Sequence, residues 1–173
     1  MKVIFLDFDG VINNWYSNDK VDIVNVRELK KIVNSTGALI VATSSNKYSF
    51  QERGIKYEDS NYFEYVKKLE KYGINVFDVT PYVNQNREAE IMEYLRMHPE
   101  VEQYLILDDD GVWKNLLEHQ VFLDLDLGIR EEHVDVAIDI LNGKLGFYPY
   151  DFNFNETLGE RCIRINEYHK KRR

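Results

Sequence analysis

Apolar residues fall in short blocks along this chain, and the blocks alternate between two periods. Val3-Ile4-Phe5-Leu6 is an unbroken apolar run that stops at Asp7, which is the length and make-up of a buried strand. After a polar stretch from Asn13 to Lys20, Val24, Val26, Leu29, Ile32 and Val33 recur at helical spacing until Gly37, a stop signal. Ala38-Leu39-Ile40-Val41-Ala42 reads as a second buried strand and ends in Thr43-Ser44-Ser45. Tyr62, Phe63, Tyr65, Val66 and Leu69 predict a helix over 61–72 that stops at Gly73, and Val76-Phe77-Asp78-Val79 is a third strand closed by Thr80-Pro81. A polar loop, Asn84-Gln85-Asn86, leads into Arg87, and Ala89, Ile91, Met92 and Leu95 describe a helix that finishes before Pro99. Tyr104-Leu105-Ile106-Leu107 is a fourth strand running into Asp108-Asp109-Asp110-Gly111, and Val121-Phe122-Leu123 a fifth. Val134, Ala137, Ile138 and Leu141 place a closing helix over 131–141, before Gly143.

Strands alternating with helices predict an α/β fold with a doubly wound parallel sheet. The rhythm ends at residue 143. Residues 144–173 carry an aromatic run, Phe147, Tyr148, Tyr150, Phe152 and Phe154, and then a polar helix ending in Lys170, Lys171, Arg172 and Arg173. They read as a C-terminal arm packing on a core of residues 1–143. At 173 residues and 44% apolar content the chain fits one domain. A formal charge of −8 opposes broad non-specific binding to nucleic acid, leaving only a local basic groove for such contacts. Cys162, the one cysteine, cannot form an internal disulfide, and the first apolar run breaks at Asp7, too early for a secretory leader. No stretch is long enough to span a bilayer. The expected setting is soluble and cytoplasmic, with no membrane partner and an open oligomeric state.

The chemistry concentrates where strands end, which is where open α/β sheets place their ligands. Asp7 and Asp9 follow the first strand two residues apart, so an extended chain would point both carboxylates the same way. Two such charges ~4 Å apart repel by ~4 kcal/mol at an effective dielectric of ~20. A divalent cation, or protonation of one carboxyl, would relieve that. Asp108 and Asp109 repeat the device at the fourth strand end, and the two clusters together predict a magnesium site, since Mg2+ takes a few carboxylates completed by water and phosphate oxygens. Thr43 or Ser44 could offer a hydroxyl to a phosphate, or could merely cap the next helix. Arg87 opens a helix, where a cation is unfavourable unless an anion offsets it, either a ligand or a nearby Glu88 or Glu90. Asp124-Leu125-Asp126 imitates the first motif, but Leu127-Gly128 follows and no hydroxyl cluster accompanies it, so it reads as structural. The four histidines show no zinc spacing.

Asp7-Phe8-Asp9-Gly10-Val11, a strand-end Thr43-Ser44, the basic Arg87 opening a helix and the late pair Asp108-Asp109 occur in the order seen in haloacid dehalogenase-like (HAD) hydrolases. The resemblance covers roughly residues 3–141. More narrowly, the segments 36–45, Thr80-Pro81, 87–91 and 105–109 look like the HAD branch of RNA-repair fusion proteins and phages, although Asn46-Lys47 stands where members usually carry an aromatic and a basic residue.

The resemblance implies a Rossmann-like core with little or no cap and a magnesium-dependent phosphomonoesterase working through an aspartyl-phosphate. Asp7 would be the nucleophile, Asp9 the general acid and then base, with its carbonyl a metal ligand. Thr43, or Ser44 if the strand ends one residue later, would bind the transferred phosphoryl, and Arg87 would neutralise charge beside it. Asp108 would complete the metal shell, with Asp109 either a second ligand or a partner that orients the ligands, and Gly10, Ser44, Ser45 and Lys47 would contact substrate. The substrate is a phosphorylated molecule, with nucleotides and polynucleotide ends favoured by the narrow resemblance and by Lys47 and the basic tail as backbone contacts. A silent phosphate-binding module and a small-metabolite phosphatase remain the alternatives. A response-regulator receiver fits less well, because its acid pair lies early in the chain.

Overall fold

The computed structural model describes residues 1–110 and 116–144, with 160, 163 and 167. The expected arm, apart from residues 144, 160, 163 and 167, its basic tail and Gly111 lie outside the described residues. Within them, five strands form one wholly parallel sheet: β1 (Lys2–Leu6), β2 (Leu39–Ala42), β3 (Val76–Val79), β4 (Gln103–Asp108) and β5 (Gln120–Phe122), in the order β3-β2-β1-β4-β5. The chain reverses direction across the sheet between β1 and β4, so the ligand crevice falls at the ends of those two central strands.

The helices are α1 (Ile23–Thr36), α2 (Tyr48–Gln51), α3 (Asn61–Lys71), α4 (Arg87–Met97) and α5 (Glu131–Leu141). Their starts follow from side-chain caps. Asp22 accepts from the amides of Val24 and Asn25, Ser60 from Phe63, and Asn86 from Ala89. Alternate strand residues divide the core. Ile4, Leu6, Ile40, Leu105 and Leu107 pack with α1, α3 and α5 on one face, whereas Phe5, Val41 and Ile106 meet Ile91 and Tyr94 of α4 on the other. One helix therefore covers the face on which Asp7, Thr43 and Asp108, the next residues of that parity, emerge.

The imitation motif at 124–126 is a clamp. Asp124 takes the amide of Asp126 at 2.8 Å, its carbonyl takes those of Leu127 and Gly128, and Ile129 donates to Val11 O at 3.0 Å. Asn25, fully buried on α1, locks this loop by donating its Nδ2 to both Leu127 O and Ile129 O at 2.8 Å, and its Oδ1 accepts from Asn14 at 3.1 Å. The segment following Asp7 and Asp9 is thus held from behind. Asn25→Ala strands two carbonyls and should cost ~2–4 kcal/mol in urea unfolding. A loss below ~0.5 kcal/mol, within the range of ordinary surface changes, would show that the clamp carries no weight.

Candidate functional site

Strand register builds the site. Leu6 pairs with Ala42 and Leu107, so the residues one step on, Asp7, Thr43 and Asp108, stand in a row at the open edge of the sheet. Carboxylate oxygens of Asp7, Asp108 and Asp109 all lie within 4.8 Å of one another. Asp108 is fully buried and Asp7 nearly so. Arg87, the first residue of α4, answers them: its Nη1 donates to Asp7 Oδ2 at 2.9 Å and to Asp108 Oδ2. The anion expected to offset a cation at a helix start is this carboxylate pair. Glu90, the surface partner considered for Arg87, is engaged elsewhere.

One guanidinium does not balance three carboxylates. Burial, with the charge of Asp7 next, holds Asp108 well above the usual carboxylate range despite Arg87. The same two causes push Asp109 up to about 6. Arg87 is pulled down by burial, but Asp7 and Asp108 outweigh this and keep it firmly charged. Three carboxyl groups sharing one guanidinium favour either a bound proton or a small divalent cation, which their hard oxygen donors suit.

The expected crowding of Asp7 against Asp9 is corrected by the structure. The strand ends at Leu6, the chain turns, and Asp9 projects to the surface outside the three-carboxylate group. There its Oδ1 accepts from Asn13 Nδ2 at 3.0 Å and from the hydroxyl of Tyr65, and its Oδ2 accepts from Asn46 Nδ2 at 2.9 Å. Burial raises its pKa, but these bonds outweigh burial and leave it lowered. Crowding instead joins the ends of β1 and β4. Gly10 permits it: its φ is +70°, and a Cβ there would sit 2.4 Å from Asp109 Cγ. Its amide is spent on Asn13 Oδ1 at 2.9 Å, so Gly10 acts by close packing and its expected place among substrate contacts is corrected.

The two hydroxyls also separate. Ser44 caps the turn Ser45–Lys47, with Oγ accepting from Asn46 N at 3.4 Å and Nδ2 at 3.1 Å. Thr43 Oγ1 is buried and has no partner among the described residues. Ser45 is exposed on a cleft of about 590 Å³ that opens beside Arg87, Asn84, Asn86 and Asp110.

Lys47, expected to meet substrate, is corrected outright. It is fully buried, with Nζ 2.6 Å from Glu90 Oε2 and bonded to Thr80 Oγ1 and Thr80 O. Burial lowers its pKa to about 8 against the opposing pull of Glu90. Tyr48 donates to the same Glu90 oxygen at 3.2 Å. This pair ties the turn after β2 to α4 one helical turn behind Arg87, so it braces the site from inside.

Three residues around Asp9 escaped the sequence reading: Asn13, Asn46 and Tyr65. Tyr65 belongs to the apolar stripe of α3, and its ring does pack on Phe8, with centroids 4.8 Å apart; only its hydroxyl reaches the site. The available signal was Asn13 following Asp9 by four residues in a turn.

A family model described as "HAD domain in Swiss Army Knife RNA repair proteins" matches residues 3–134. Neither the curated proteins nor the solved structures give a match.

Asp109 makes the charge argument measurable. Its folded pKa near 6 exceeds the ordinary 3.8, so between those values the folded state holds more protons than the unfolded one. Stability from this group therefore falls as pH rises through that window. In chelator, Asp109→Asn should melt above the wild type at pH 7, with the difference vanishing towards pH 4. A difference independent of pH would mean that Asp109 is not under charge strain.

Proposed function

The chain belongs to the family of HAD domains in Swiss Army Knife RNA repair proteins, and from that premise we propose that it is a magnesium-dependent phosphomonoester hydrolase acting through an aspartyl-phosphate on Asp7. Membership supports a hydrolase of the phosphatase type binding a phosphorylated substrate. The observation that carries the finer reading is the convergence of Asp7, Asp108 and Asp109 under Arg87, beside an unpartnered Thr43 hydroxyl.

Asp7, Asp108 and Asp109 would hold the cation, with the Asp9 carbonyl as a further ligand. Bound there, Mg2+ supplies charge neutralisation for a phosphate dianion approaching a carboxylate. An Asp7 oxygen attacks phosphorus, the bond to the leaving oxygen breaks, and Asp9, first protonated from solvent against its lowered pKa, donates the proton that makes the leaving group an alcohol. Asp9 then takes a proton from water as it attacks the acyl-phosphate, which returns Asp7 and releases inorganic phosphate. Arg87, already on Asp7, stays charged and lies where negative charge builds up. Thr43 Oγ1 gains its missing partner from a phosphoryl oxygen, whereas the Ser44 hydroxyl is committed to its cap. Tyr65, Asn13 and Asn46 hold the Asp9 carboxylate towards the leaving-group side.

A nucleotide or polynucleotide end is the preferred substrate class, supported by the family description; buried Lys47 no longer contributes to that argument. No helix among the described residues is long and apolar enough to cross a membrane.

Asp108→Asn should lower activity on an aryl phosphate by at least ~100-fold and weaken magnesium binding in parallel. Full activity of that variant, or of the wild type in excess chelator, would remove the metal from the mechanism.

Nucleophile and proton shuttle separate in a trapping experiment. Asp7→Asn should form no covalent phosphate adduct, whereas Asp9→Asn should lose turnover yet accumulate adduct from a substrate with an activated leaving group. Phosphate trapped on a residue other than Asp7 would overturn the assignment.

A further inference from the structure

Trp15 and Tyr16 are 73% and 75% exposed, the two most exposed large apolar side chains among the described residues. They do not sit on a loose loop. Asn14 N donates to Ser17 Oγ at 2.9 Å, Ser17 N returns to Asn14 O at 2.9 Å, and Tyr16 N donates to Asn14 Oδ1 at 3.0 Å. Asn14 Nδ2 is in turn fixed to the buried Asn25 at 3.1 Å. The turn is braced on the core, and both aromatic rings stand in water.

Their place along the chain gives them a use. Asn13, two residues before Trp15, contacts Asp9 Oδ1 at 3.0 Å and Tyr65 Oη at 3.1 Å. Two residues span at most ~7 Å, so the Trp15 backbone lies within that distance of the backbone of a residue touching Asp9. On the reading above Asp9 protonates the leaving group, which places the leaving group on this side of the site. Their neighbours along the chain, Asn13, Asn14, Ser17 and Asn18, are polar, unlike the apolar centre of a protein interface. A flat, exposed π surface on a polar turn rewards a partner that is itself flat and polar at its edges. Nucleobases meet that description, and aromatic stacking is how single-stranded nucleic acid is held without reading its sequence. An alkyl or sugar alcohol offers no π face.

We propose that Trp15 and Tyr16 form a stacking platform for the base of a nucleotide, free or at a polynucleotide end, whose phosphate occupies the Asp7 site. The proposal rests on the phosphohydrolase reading for where the phosphate sits, and it supplies the substrate class from observations independent of the carboxylate cluster.

The first test compares kcat/KM for adenosine 3′- and 5′-monophosphate with that for methyl phosphate. Trp15→Ala should lower the nucleotide-to-methyl ratio about tenfold through KM, and Trp15→Phe, which keeps a π face, should recover most of it. An unchanged ratio, or equal losses in the Ala and Phe variants, overturns the platform.

The second test needs no turnover. The chain has two tryptophans, Trp15 and Trp113, so Trp113→Phe in an Asp7→Asn background leaves Trp15 as the only indole emitter. Adenosine monophosphate should quench it saturably and inorganic phosphate should not. Absent quenching, including quenching blocked by the C-terminal arm or a second copy lying over the rings, overturns the proposal. Should no phosphate ester be turned over by the wild type, the hydrolase reading falls, while quenching still decides the platform.

Discussion

Asp7, Asp108 and Asp109 each place a carboxyl oxygen within 4.8 Å of the other two, any two that are ionised repel by a few kcal/mol at the effective dielectric of a protein edge, and the fold must hold them there against that force. The parallel register of β1 between β2 and β4 supplies the placement, and the Arg87 guanidinium supplies the only compensating charge bonded to them among the described residues. Much of the surrounding architecture follows from this need. Helix α4 must start at Arg87, so Asn86 caps it there. The helix must not drift from the sheet, so Ile91 and Tyr94 anchor it to Phe5 and Val41, and Glu90 to Lys47.

The Lys47–Glu90 pair shows how a cost is turned to use. Both side chains are wholly buried, and such pairs rarely add net stability over an apolar equivalent. What they add is direction, because Glu90 Oε2 accepts from both Lys47 and Tyr48 while Oε1 accepts from Val83 N. The turn after β2, the loop before α4 and α4 itself meet on one carboxylate. Asn46, the neighbour of Lys47, points the other way to Asp9. Two consecutive residues thus link the proposed leaving-group side of the site to the helix that carries Arg87.

The sheet and the four long helices around it were legible because each is a clean periodic block: the expected helix at 131–141 matches α5, and those at 61–72 and after Arg87 differ only in their end residues. The short turns at Ser45–Lys47, Tyr48–Gln51 and Tyr57–Asp59 were not, since three or four residues carry no period. The acid clusters and Arg87 were visible as chemistry that strand-end position alone picks out. Two readings failed for a common reason, that a residue's partner is set by tertiary packing. Lys47 looks like a surface cation until Glu90, 43 residues on, is brought against it. Asp9 looks like a companion of Asp7 until the chain turns and hands it to Tyr65, 56 residues away.

The contact between Gly10 and Asp109 leaves less room than one methyl group. The loops after β1 and β4 are consequently already in contact there and cannot close further. An added methyl at position 10 would meet the Asp109 carboxyl first, and so would push one of the three clustered carboxylates out of place. A residue without a side chain thereby sets how near the two acid-bearing loops can stand.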